Sequence, residues 1–462
     1  MRIPPRVLLL CVSCCFPALS FGQAVGLPAA GVPAALPGYA QLPPVKVSTV
    51  PAAYSANAIT IDAATGAVIS GASGTATITA NRNAASVPAA DNDFNLSDTR
   101  ANLPTIDGLN TIATFDGAFV AEAGVSTDGD FRFTMIGNDP KLGGSTVYPA
   151  NIDEVSLQLL NADGSVFKTV SYAPFEQKTL NSPNFVPLDY RSGHNIEYSD
   201  AVHRAEFFNV MKNNWHTVLI PQVVNRVTIT VPFFVNIQLQ NGDVIQARSY
   251  FTGTASDGST FVLMLSPLFS FFFDNEVVNE INLGNFTTNS INMTLFPNTF
   301  LFSLNVNNPN TPGGCCTLGF HTYFLEGGVF PQPRWITEYA SWISPGIFGA
   351  GFQDVTALSH ETGESFDDPF IDNPTPNWQF PGQPATSTMC QNNLETGDPI
   401  EVLPNATAAI EVKHKGTSYL YHPQNLALYE WFEMGTTSNA IDGAFSFPDE
   451  TVLPISAIPC PQ

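Results

Sequence analysis

Short runs in which every second residue is apolar, each cut off by a Gly, Pro, Asn or Asp turn, recur from Ala58 to about Val306. A period of two is the period of a strand with one face buried, so this pattern commits the first two thirds of the chain to sheets. Ala58-Ile59-Thr60-Ile61-Asp62 and Phe131-Arg132-Phe133-Thr134-Met135 are examples. Val155 to Leu160 and Val166 to Tyr172 flank Asn161-Ala162-Asp163-Gly164, which predicts a hairpin. Further strands are expected at His216–Ile220, Val227–Phe234, Val244–Phe251, Phe261–Leu265 and Met293–Val306. Leu268 to Phe273 is continuously apolar and reads as a fully buried strand. One helix breaks the series: Ser199 to Asn213, capped by Ser199 or Asp200, with Val202, Ala205, Phe208 and Val210 as its stripe. The Asp-Gly clusters lack the ligand spacing of a calcium hand and are explained by turn chemistry.

The amino terminus points to export. Arg2 and Arg6 precede the apolar run Val7–Phe21, and Ser20-Phe21-Gly22 supplies small residues for cleavage. Residues 1–22 are therefore read as a secretory signal, and no stretch is long and apolar enough to span a membrane. Residues 23–55, dense in Pro and Ala, read as a linker. Residues 56–190 form a β-rich region, a sandwich being one form of it, and residues 191–462 form an α+β region. Cys315, Cys316, Cys390 and Cys460 remain after the signal is removed, an even number for an oxidising compartment. Neighbouring cysteines rarely bond each other, so Cys315 and Cys316 are expected to pair separately with Cys390 and Cys460. The triplets at Asn95, Asn285, Asn292 and Asn405 would accept glycans only in a eukaryote.

With 40 acidic against 17 basic residues, the chain carries a net charge of −23. That field repels nucleic acid and anionic lipid, and excludes both as partners. It attracts divalent cations and basic ligands, although solubility outside the cell is the better explanation of the charge. No Gly-x-Ser-x-Gly elbow is present, which argues against the common esterase.

Gln353 to Phe366 predicts a helix. Wound at 100° per residue, Val355, Leu358, Thr362 and Phe366 fall within about 80° and form the buried face. His360, Glu364 and Asp367 gather within about 60° on the other side. A His and a Glu at i and i+4 on one helix face suit a single zinc ion. Glu361 between them is placed to take a proton from a water that the ion polarises. A third ligand is needed: Glu395 is the expected one and His321 its rival, with Asp398 orienting a ligand from behind. Spacing alone also fits a solvated helix face. Gly363 costs about 1 kcal/mol in mid-helix, and close approach of another segment would account for it. His194, His203, His216, His414 and His422 read as surface or satisfied histidines. Trp335, Trp342, Trp378 and Trp431 read as core, with a sugar-binding face as the alternative.

Ser359-His360-Glu361-x-x-Glu364-x-x-x-Asp368-Pro369-Phe370, Asn373-x-x-Pro376-x-Trp378, Cys390 and Leu394-Glu395-x-Gly397-Asp398-Pro399 resemble an exported bacterial family of uncharacterised function. Tyr198-Ser199-Asp200-Ala201-x-x-Arg204-Ala205-x-Phe207-Phe208 and Cys315-Cys316-x-Leu318-Gly319-Phe320-His321 look like further signatures of it. The likeness covers about Tyr198 to Phe432. More distantly, the pattern is similar to the phosphate-induced, Exordium-type plant wall proteins. Both groups look like relatives of zinc metallopeptidases. The resemblance implies a zincin-like α+β region and a zinc-dependent hydrolase acting through His360, Glu361 and Glu364. Its substrate would be an extracellular peptide or protein. The alternative expectation is a non-catalytic protein associated with wall polysaccharide.

Overall fold

The computed structural model describes residues 60–62, 68–70, 112–121, 130–190, 195–325, 333–349, 351–383, 390–414 and 416–460. The signal at 1–22, the linker at 23–55, Asn95 and His194 lie outside them. The described part is a β-rich α+β structure with several mixed sheets.

The largest sheet positions everything else. Its strands are β1 (Ser145–Leu160), β2 (Val166–Val170), β3 (His216–Val231), β4 (Ile291–Pro297), β5 (Gly319–Leu325) and β6 (Arg334–Trp342). One edge of β1 pairs with β3 in parallel from Ser145 to Leu159. Its other edge takes β4 in parallel at Ala150–Glu154 and β2 antiparallel at Leu157–Leu160. β4 continues in parallel to β6, and β5 closes that side antiparallel to β6. The expected β1–β2 hairpin is present, with the Asn161 N–H on the Ser165 carbonyl at 2.8 Å. Strands on both sides of residue 190 share this sheet.

Helices cover both faces. α1 (Tyr198–Glu206) and α3 (Thr356–Asp367) pack together on one side, α3 against β5 and β6, while α2 (Ser266–Leu283) lies on the other. The alternation of β4 shows the division. Met293 and Leu295 join the core that holds Leu358 and Phe366 of α3, whereas Phe296 faces Phe269 of α2 at 5.0 Å between ring centres. Covered on both faces, β4 is buried along its whole length. Each phenylalanine buried this way contributes about 1.5–3 kcal/mol.

Several expectations are corrected. Leu268–Phe273 is part of helix α2 and not a strand: Pro267 sits in its first turn, and Gly284, at φ 75°, ends it. An unbroken apolar run carries no period, so strand and buried helix look alike in it. Met293–Val306 is two strands in two sheets. Asn298 adopts φ 45° and turns the chain from β4 into Thr299–Leu304, which pairs with Thr260–Leu265 and Pro312–Thr317. His216–Ile220 and Val227–Phe234 belong largely to one strand, β3, because β1 offers it an uninterrupted edge. Helix α1 stops at Glu206, leaving Phe208 and Val210 exposed.

The cysteines pair as Cys315–Cys316 and Cys390–Cys460, not crosswise. Cys390 opens a strand on one side of Pro374–Gln379, and Ile458–Pro459 pairs on its other side. This brings the Cα atoms of Cys390 and Cys460 within 6.0 Å and leaves the neighbours to each other. Trp342, Trp378 and Trp431 are core residues, the last two in ring contact at 5.4 Å. Among the described residues, no helix is long and apolar enough to cross a membrane.

Candidate metal centre

Every residue of α3 is buried, so the face carrying His360 and Glu364 is not turned to water as the helical wheel implied. Two segments cover it. Leu426 lies so close to Gly363 that a Cβ there would run into it, which accounts for the mid-helix glycine. Gly397 lies against His360, where a Cβ would stand 2.6 Å from the ring.

The histidine tautomers follow from their neighbours. Gln424 donates from Nε2 to the Gly397 carbonyl at 2.7 Å, and a carbonyl only accepts. Its Oε1 is thereby turned to His360 Nδ1, 3.0 Å away, which must carry the proton. His360 Nε2 then faces Glu364 Oε1 at 3.1 Å and Asp398 Oδ1 at 3.5 Å, the nitrogen that either a proton or an ion can take. His321, on β5, repeats the arrangement. Its Nε2–H donates to the Asp368 carbonyl at 3.1 Å. Nδ1 faces Glu364 Oε2 at 3.3 Å, and Glu361 Oε2 and Glu395 Oε2 at 3.8 Å each.

Glu364 thus stands between two imidazoles, one to each oxygen. The carboxylates are themselves held. Glu364 Oε1 accepts the Gly397 N–H at 3.0 Å, Glu395 Oε1 accepts from Asn393 Nδ2 at 2.6 Å, and Asp398 Oδ2 accepts from Gln391 Nε2. Gly319 leaves room for Glu361, whose Cγ would lie 2.8 Å from a Cβ there. All six residues singled out by sequence meet here. Asp398, expected behind a ligand, lies beside His360 and Glu364. Glu395, expected as the third ligand, lies beside His321.

The electrostatics are those of two imidazoles set among four carboxylates. Burial raises the Glu364 carboxyl, but His360 and His321 overcome it and hold the group well below the usual range. Burial lowers both imidazoles, yet the surrounding carboxylates lift each well above its ordinary value: Glu364 and Glu361 act on His360, and Glu395, Glu361 and Glu364 on His321. Burial raises Glu361 despite both histidines, and burial with Glu364 raises Glu395 well above normal. A proton on each ring is what holds this cluster together when no ion does.

The donor set fits a divalent ion. His360, Glu364 and Asp398 present ligand atoms within 4.8 Å of one another, as do His321, Glu361 and Glu364. Imidazole nitrogen with carboxylate oxygen suits zinc or a similar transition ion.

Two participants carry no sequence signal. Gln424 lies 64 residues beyond His360 in an unremarkable stretch. Glu338, on β6, accepts from Thr362 Oγ1 at 3.1 Å, and burial pushes its carboxyl up to about 8. The remaining histidines include two that are satisfied: His216 meets Asp200 at 2.7 Å and His422 meets Asp354 at 2.8 Å. No family model, no curated protein and no solved structure matches the chain.

Proposed function

We propose that the chain is an exported, zinc-dependent hydrolase of extracellular peptides or proteins. The observation that supports it best is the pinned tautomer of His360, whose free nitrogen meets Glu364 and Asp398 in one buried place. In this reading His360, Glu364 and Asp398 hold the ion. His321 lies on the far side of Glu364 and steers Glu361 and Glu395. The resemblance to metallopeptidase relatives, read from the His-Glu-x-x-Glu helix, points the same way.

When bound, the ion would supply Lewis-acid polarisation of a carbonyl and of water. Glu361 adjoins both histidines and, raised by its burial, is suited to accept a proton and return it to the leaving amine. Burial raises the Glu338 carboxyl to about 8, which works against a further negative charge beside Glu361. The side chains of His360 and Asp398 keep 11% and 19% of their surface exposed, so substrate would approach from that side.

Metal analysis and peptide hydrolysis by the purified full chain test this. Zinc is expected to be present and to be lost from the His360 position in His360→Ala. Glu361→Gln is expected to keep it while hydrolysis of an unfolded polypeptide falls by about 10²–10⁴-fold. A chain that binds no metal, or a Glu361→Gln variant with undiminished hydrolysis, would overturn the proposal.

A further inference from the structure

A second group of titratable side chains lies where α1 meets the end of α3, outside the centre described above. His203 and Glu206 are three residues apart on α1 and share its inner face. Asp367 is the last residue of α3. All three are about 1% exposed, and their ligand atoms lie within 4.8 Å of one another.

Each carboxylate has one oxygen tied down and the other directed into the shared space. Glu206 Oε1 accepts the Tyr429 N–H at 3.1 Å, and Asp367 Oδ2 accepts from Thr396 Oγ1 at 3.0 Å. Glu206 Oε2, Asp367 Oδ1 and both ring nitrogens of His203 are buried without a hydrogen-bond partner. Unpaired buried polar atoms are costly, so this group together calls for an occupant. The ionisable groups acting on Glu206 are Asp367 and Glu430, both acids. The Arg204 guanidinium donates to the Trp215 carbonyl and is not among the groups acting on Glu206.

We infer that His203, Glu206 and Asp367 hold a second divalent transition ion, enclosed and structural, that joins α1 to α3. A proton shared between Glu206 and Asp367 would relieve the two acids but leave both nitrogens of His203 unpaired. An ion engages both acids and one nitrogen of His203, leaving a single ring N–H among the aromatic side chains. The surroundings are those of a closed site, with Trp215, Phe207, Phe366 and Phe115 packed around the imidazole at 4.9, 5.5, 5.7 and 6.0 Å. No substrate reaches it, so its contribution is to stability rather than to turnover.

The experiment is zinc stoichiometry on the full chain, unfolded in chelator, refolded with zinc and freed of excess by gel filtration. Two equivalents are expected for the unaltered chain. One is expected for His203→Phe, which fills the aromatic surround, and for the near-isosteric Glu206→Gln, which protects the test if the first fails to fold. His360→Ala should also bind one, and should keep a zinc-induced rise in melting temperature that His203→Phe lacks. Two equivalents in folded His203→Phe or Glu206→Gln would overturn the inference and assign the neutralising charge to protons. A single equivalent in the unaltered chain that disappears in His360→Ala would overturn it while leaving the hydrolase proposal intact. A single equivalent that disappears in Glu206→Gln would uphold it and remove the hydrolase instead.

Discussion

Replacing Gln424 with methionine tests whether the tautomer of His360 is set by its neighbour. The backbone at Gln424 is held independently, its N–H on Ser359 Oγ at 2.8 Å and its carbonyl on the Tyr198 hydroxyl, so the substitution leaves the chain in place. Two buried groups lose their partner, His360 Nδ1–H and the Gly397 carbonyl. At about 1–1.5 kcal/mol for each hydrogen bond, metal-free stability should fall by about 2–3 kcal/mol. The larger consequence concerns the ion. Without its acceptor the ring is free to turn and to carry its proton on Nε2, and loss of such an outer partner weakens metal binding about 10–100-fold. That corresponds to about 1.4–2.7 kcal/mol. Competition with a chromophoric chelator at about pH 7 measures it directly, and Gln424→Glu, which keeps an acceptor for Nδ1–H, should retain most of the affinity. Unchanged zinc affinity in a folded Gln424→Met chain would refute the reasoning, whatever its stability.

Gly363→Ala gains about 1 kcal/mol of helix propensity but overpacks Leu426 by about 1–3 kcal/mol, for a net loss of about 1 kcal/mol. In a Leu426→Ala background the same change should stabilise, and a double-mutant cycle by urea unfolding reads the difference. Arg226 meets Glu176 through two hydrogen bonds, at 2.7 and 3.0 Å, and Glu154 at 3.2 Å. Arg226→Met strands the buried Glu154 and should cost about 3 kcal/mol; a loss under about 1 kcal/mol would mean that protons already neutralise the acids. Metal-stripped protein should be less stable at pH 8 than at pH 5. Burial raises Glu338 and Glu401 to about 8, above the unfolded value near 4.3, so their contribution is complete in acid and lost as pH rises through 8. His321 and His360, raised above 6.5, add to the same loss; His203, lowered to about 3, opposes it between pH 5 and its unfolded value near 6.5, and Glu364, lowered, acts only below its unfolded value near 4.3. Thermal melts check this, and a melting temperature that climbs from pH 5 to pH 8 without metal would contradict it. Zinc displaces protons, so its stabilising increment should instead grow with pH.

The helix at Gln353–Phe366 was legible because spacing is local, and so was the meeting of His360 with Glu364. His321, Glu395 and Asp398 were legible only as candidates, since nothing in spacing says which acid stands nearest which ring. Gln424 and Glu338 were silent: their places depend on Gln424 reaching the Gly397 carbonyl and on Glu338 lying under Thr362, both long-range events. The His203 cluster was hidden for the opposite reason. Its members lie on two helices whose contact no single stretch encodes, and a histidine on an apolar helix face reads as ordinary core. Leu268–Phe273 misled because a run with no period gives no hint of the Pro267 start and Gly284 stop that make it helical.

A helix such as α3, with Leu358 and Phe366 on one face, polar and charged side chains on the others and water on no side, is a poor independent folding unit. Its turns become favourable only once β5 brings His321, the stretch at 395–398 brings its amide and acids, and 424–426 closes over the top. The last of these is made late when the chain is threaded from its amino terminus. Assembly of the centre is therefore coupled to arrival of the carboxyl-terminal third, and a chain cut before Gln424 would carry the motif without the surroundings that give it chemistry.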